Sequence, residues 1–104
     1  MDDVSDLGPF SDPALFILAS LAGGEKHGYA MIEDIETMCG VRLGPGTLYG
    51  ALARLERRGL IEALDTEDRR RPYRLTAAGA SALQKRLTSL ENFATVGLRR
   101  LATT

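Results

Sequence analysis

The chain has no tryptophan, one histidine and one cysteine in 104 residues. A lone thiol, Cys39, excludes an internal disulfide framework and suits a reducing cytoplasm. With only His27 and Cys39 to offer, one chain lacks the ligands for a zinc site of the usual kind. No serine or cysteine has a second imidazole to act as its base, so nucleophilic catalysis has no visible machinery. The stretch Gly44-Pro45-Gly46-Thr47 lacks the lysine and the spacing of a phosphate loop. No cofactor and no metal is implied, and the chain is not expected to be an enzyme. No run of 18 or more apolar residues appears, so no membrane span is expected. The acidic start lacks the basic n-region of a signal peptide.

What is present is unevenly distributed. The net charge is only −1, with 26% charged and 44% apolar residues. Residues 1–40 hold eight acids and one base, a net of −7, whereas residues 41–104 hold twelve bases and six acids, a net of +6. Partners respond to local patches rather than totals, so a polyanion remains a candidate partner for the second half.

The stretch from Gly44 to Leu60 organises the chain. Pro45 suits the first position of a helix and Gly59 its left-handed stop. Leu48, Leu52 and Leu55 share one face, which is expected to be core. The opposite face carries Gly46, Gly50, Ala53, Arg54 and Arg57, flanked by Thr47 and Tyr49. Little bulk at the leading end and cations further on is what a helix entering a DNA major groove needs. An ordinary amphipathic surface helix has the same pattern, so context has to decide.

In chain order, residues 1–11 read as a flexible acidic arm. Asp12-Pro13 caps a short helix that is apolar nearly all round and ends at Gly23-Gly24, so it needs cover on more than one side. A second helix runs from His27-Gly28 to Gly40, with His27 a helix-end residue and Glu33, Asp34 and Glu36 on its wet side. After the third helix, residues 60–64 and 71–75 read as two strands of a hairpin with a charged tip. Pro72 is expected to confine its strand to an edge or a non-bonding position. Arg69, Arg70 and Arg71 form the basic cluster of that tip; a solvated turn balanced by Asp65, Glu67 and Asp68 is the alternative.

Thr76 opens the longest helix, running to about Leu101. Ala80, Leu83, Leu87, Leu90, Ala94, Gly97 and Leu101 recur at alternating spacings of three and four, the seam of a coiled-coil-like contact. Leu83, Leu87, Leu90, Ala94, Gly97 and Leu101 are the predicted dimerisation residues, because the helix outruns the core of so small a head. Packing of the seam on its own domain is the alternative. Phe93, Val96 and Leu98 lie beside the seam, placed to meet the first helix of a second subunit. An effector pocket lined by Leu15, Phe16, Leu87, Leu90 and Phe93 is one reading of that region, and a closed dimer core is the other.

The predicted fold is therefore mainly α with a small two-stranded β-hairpin. Residues 12–75 form a winged helix-turn-helix domain, and residues 76–104 a C-terminal dimerisation helix. At this point the chain resembles the PadR family of transcriptional regulators, in the short form with one C-terminal helix. The resemblance rests on His27-Gly28-Tyr29, on Pro45-Gly46-Thr47-Leu48-Tyr49 with Leu52, Arg54-Leu55-Glu56 and Gly59-Leu60-Ile61, and on Tyr73-Arg74-Leu75-Thr76 with Gly79. It covers roughly residues 14–101.

The resemblance implies a homodimer with a winged-helix head that binds double-stranded DNA. Two copies of the third helix facing successive major grooves are then expected to read a pseudo-palindromic operator, in the cytoplasm that the lone thiol suits. The resemblance also implies repression relieved by a small aromatic effector. Gly44 stands where the family often has a serine cap, and Leu90 where some relatives grip drugs with tryptophan. Thr47 and Tyr49 are candidates for base-edge or nearby phosphate contacts, with Gly46 and Gly50 allowing close approach. For Tyr49 the alternative is partial burial against the wing. Arg54, Arg57 and the wing arginines suit phosphates, and Tyr29 suits the backbone as the resemblance suggests. A winged-helix module that binds another protein, through the acidic N-terminal face or the first helix, is the competing function.

Overall fold

The computed structural model describes residues 12–65 and 71–104. The predicted acidic arm and the wing arginines Arg69 and Arg70 lie outside the described residues.

Helix α1 spans Pro13–Ala22. The Asp12 carboxylate accepts from the Ala14 N–H at 3.0 Å, and Pro13 takes a position where no amide is needed. Phe16, Ile17, Leu18 and Leu21 are buried, while Leu15, Ala14 and Ala19 pack against the core with partial exposure. The buried Ser20 hydroxyl donates to Asp34 Oδ2 at 2.6 Å, which satisfies the one polar side chain on this helix.

A two-residue strand, β1 (Lys26–His27), precedes helix α2 (Gly28–Cys39). His27 Nδ1 accepts from the Ala30 N–H at 3.3 Å and so caps α2. Gly40, at φ 76°, stops it, and its N–H returns to the Glu36 carbonyl at 2.8 Å. Helix α3 spans Pro45–Arg57, with Gly44 as a cap that makes no side-chain bond. Gly59 at φ 74° turns the chain out. The Leu60 N–H reaches the Leu55 carbonyl and the Gly59 N–H that of Glu56, both at 3.0 Å, the pattern of a Schellman stop.

Strands β2 (Ile61–Ala63) and β3 (Pro72–Leu75) form the wing hairpin, in the register Ile61↔Leu75, Glu62↔Arg74 and Ala63↔Tyr73. The sheet has three strands rather than the expected two, in the order β1-β3-β2. Lys26 pairs with Tyr73 and His27 with Pro72. Two polar residues carry no alternation, so no sequence period announces β1. The strand that holds Pro72 is thus the central one, not an edge. Proline is tolerated as its first residue, with its carbonyl accepting from the Leu64 N–H at 2.8 Å.

Helix α4 spans Ala77–Ala102. Thr76 caps it by accepting from the Gly79 N–H at 3.0 Å, while the same hydroxyl donates to the Gly59 carbonyl at 2.7 Å. One side chain therefore fastens the start of α4 to the end of α3. Leu83 is the last α4 side chain buried in the shared core. Its spacing predicts a place on the dimerisation seam, but it lies close enough to the head to be covered by its own domain. Beyond it α4 projects, and the molecule extends 58 Å along its long axis against 30 and 20 Å across.

Candidate nucleic-acid interface

Helix α3 is divided as its sequence pattern requires. Leu48, Ala51, Leu52 and Leu55 are buried, whereas Gly46, Thr47, Tyr49, Gly50, Arg54 and Arg57 are exposed. Side chains on a helix lean toward its N-terminus. Arg54 does so: a Cβ built on Gly50 would lie 3.8 Å from the Arg54 Nη1. Its guanidinium is thereby carried one turn toward the leading end. Arg54, Arg57 and Arg58 border a crevice of about 380 Å³ against Ala14 of α1.

The ion pairs found among the described residues are Lys26–Asp34, Arg42–Glu36 and Arg74–Glu62. None of them uses Arg54, Arg57 or Arg71, so these three cations face solvent with their charge uncompensated by a close carboxylate among those residues. Arg71 is exposed at the start of β3. Tyr29, at the start of α2, is 57% exposed.

Arg42, in the link between α2 and α3, is a residue that the sequence pattern does not single out. It donates to Glu36 Oε1 at 3.1 Å. That hydrogen bond and the Glu36 charge raise its guanidinium above the ordinary value, with a smaller contribution from the Tyr29 phenol. Arg42 and Tyr29 thus border the same surface beside the α2–α3 turn. An isolated arginine in a short link has no period or motif to mark it, and only the fold brings it to Tyr29.

Tyr49 is 52% exposed, and its hydroxyl end lies over Gly28. Tyr73 on β3 is close by. Burial raises its phenol above the usual tyrosine value; the charge of Glu56 and the Tyr49 phenol add to this, and Arg71 opposes it. Of the two predicted base-edge candidates, Thr47 lies on the open face with Gly46, Gly50 and the phosphate candidate Arg54, while the Tyr49 hydroxyl end is turned toward Gly28 of α2.

Along α4, Leu87, Leu90, Phe93, Val96, Leu98 and Leu101 are exposed within one chain. The five residues expected to line an effector pocket have different surroundings within one chain. Phe16 is core, and Phe93 is 77% exposed. A notch of about 340 Å³ does lie beside α4, but among those five only Leu87 lines it, with Ala22, Leu75, Leu83 and Glu91 among its other walls. Among the described residues no group of three or more His, Cys, Asp or Glu could hold a metal. No helix there is long and apolar enough to cross a membrane.

The family description "Transcriptional regulator PadR-like family" matches residues 17–85, well over half of the chain. The chain belongs to that family. Its members are transcriptional regulators, and this PadR-like chain is accordingly a regulator rather than an enzyme. It is 41% identical over 83 residues to the transcriptional regulator Rv3488 of Mycobacterium tuberculosis, an alignment covering 77% of each chain. It is 46% identical over 80 residues to an uncharacterised transposon protein of Streptomyces fradiae, where the match covers 77% of this chain but only 23% of the relative. A transcriptional regulator from Clostridium thermocellum superposes with a TM-score of 0.72 at 30% identity, covering 80% of this chain and 86% of the other. A PadR family regulator from Clostridium difficile shares the fold, with a TM-score of 0.77 at 23% identity over 86% of this chain and 97% of that one.

Proposed function

We propose that this PadR-like regulator binds double-stranded DNA as a homodimer, presenting α3 to the major groove. The observation that carries the reading is the open face of α3. Small residues, Gly46 and Gly50, flank Thr47 at the leading end, and Arg54 lies over Gly50 with no close carboxylate among the described residues. Gly46 leaves open space where a side chain would project, so the backbone can approach a base edge or phosphate closely. The helix N-terminus adds its own attraction for a phosphate. Arg54, Arg57 and Arg71 suit backbone phosphates, as do Tyr29 and Arg42 beside the turn.

A second copy is supported by the apolar surface that α4 leaves uncovered beyond Leu83, from Leu87 to Leu101. Two heads joined through α4 would address successive major grooves about 34 Å apart and read a pseudo-palindrome. The finer role proposed is repression relieved by a small aromatic effector, which rests on the family resemblance. An effector acts this way only by favouring the spacing of heads that does not fit DNA.

The test is a mobility-shift titration at several salt concentrations, on fragments selected from random DNA. Arg54→Ala with Arg71→Ala should weaken binding across sequences while circular dichroism stays unchanged. For every phosphate no longer neutralised, the logarithmic salt slope should flatten by about 0.9. Unchanged affinity and slope would remove these arginines from the interface.

A further inference from the structure

We infer that Gly28 and Tyr49 form a steric lock that sets α3 against α2 and the wing. Tyr49 is then a positioning residue rather than a reader of bases. A Cβ built on Gly28 would lie 2.6 Å from the Tyr49 hydroxyl oxygen, 2.8 Å from its Cζ and 3.0 Å from its Cε1. Nothing larger than hydrogen fits there while the phenol stays in place.

Gly28 does not have a left-handed backbone; the positive-φ glycines among the described residues are Gly24, Gly40 and Gly59. Its small size therefore serves the space above it and not a turn. The position is well chosen for a joint. Gly28 is the first residue of α2, directly after β1, and β1 is hydrogen-bonded to β3 through the pairs Lys26↔Tyr73 and His27↔Pro72. The Tyr49 phenol is also close enough to Tyr73 to influence its ionisation. One ring thus lies where α3 packs on the start of α2, two residues along α3 from Thr47. Displacing that ring removes the contact that seats the leading turn of α3 on the start of α2.

The clash at Gly28 is with the far end of a side chain, so Gly28→Ala should evict the phenol without unfolding the chain. The lock itself rests on geometry; its effect on affinity rests on the DNA-binding reading above. A double-mutant cycle tests it, by fluorescence-anisotropy titration of a selected DNA fragment and, separately, by thermal melting.

Gly28→Ala should weaken DNA binding about tenfold. In the Tyr49→Ala background the same change should have little further effect, because no ring remains to be displaced. Tyr49→Phe keeps the ring and should bind as the wild type does. Two results would overturn the proposal: Gly28→Ala costing the same with and without Tyr49, or Tyr49→Phe losing as much as Tyr49→Ala. The latter would place the hydroxyl on DNA. Should the wild type bind none of the DNA offered, the DNA-binding reading fails, and non-additive melting temperatures still decide the lock.

Discussion

At Gly79, α4 lies close against the turn that joins α3 to β2. A Cβ there would overlap the Leu60 carbonyl oxygen and lie 2.9 Å from both its carbon and Leu75 Cδ1. The obstacle is backbone at the α3–β2 turn, which cannot swing aside as a phenol can. Gly79→Ala should therefore destabilise the fold by about 2–3 kcal/mol in urea titration, a typical cost of overpacking. Tyr73 sets a pH limit of a different kind. Its phenol is harder to ionise in the folded chain than in the unfolded one, chiefly because it is partly buried. Below the ordinary value of 10.0 both forms keep the proton. Above it the unfolded chain loses its proton first, so stability falls as pH rises through that value. Melting temperatures taken from about pH 9 to about pH 11 should show this decline, and Tyr73→Phe should lessen it.

At the scale of elements, the helices were legible because their ends are marked chemically. Asp12-Pro13, Gly40, Pro45, Gly59 and Thr76 all fall at or next to the helix ends they announce. The wing was legible as a hairpin but not as a sheet, because β1 has two polar residues and exists only through its partner strand. Pro72 was legible only in part: of the two places expected for its strand, the edge is ruled out, because as a first residue proline fits the central strand. The spacing on α4 showed a continuous apolar seam but not which surface covers each part of it. Leu83 is covered by the head, and the apolar residues from Leu87 onward are not. For the interface, the open face of α3 was readable from its angular pattern. The approach of Arg42 to Tyr29 was not, since it depends on how the α2–α3 link folds.

At the scale of the molecule, the 26-residue α4 spans about 39 Å at 1.5 Å per residue. Leu98 and Leu101 near its far end are 67% and 71% exposed. Replacing both with glutamate should leave the helix content of the chain intact and yield a monomer in sedimentation equilibrium, if α4 joins two copies. Losing the second head should also reduce operator affinity about a hundredfold, because the gain from a tethered second binding event disappears. A dimer that survives both substitutions would move the joint elsewhere on the surface.

The central place of β3 has a mechanical consequence. It is gripped on one side by β2 and on the other by β1, the two residues that lead into α2. A load applied at the wing is therefore passed straight to the threshold of α2 instead of being absorbed by a loose flap. Wing and turn should respond as one lever, with the amides of β1 and β3 opening to solvent in a single event during hydrogen exchange.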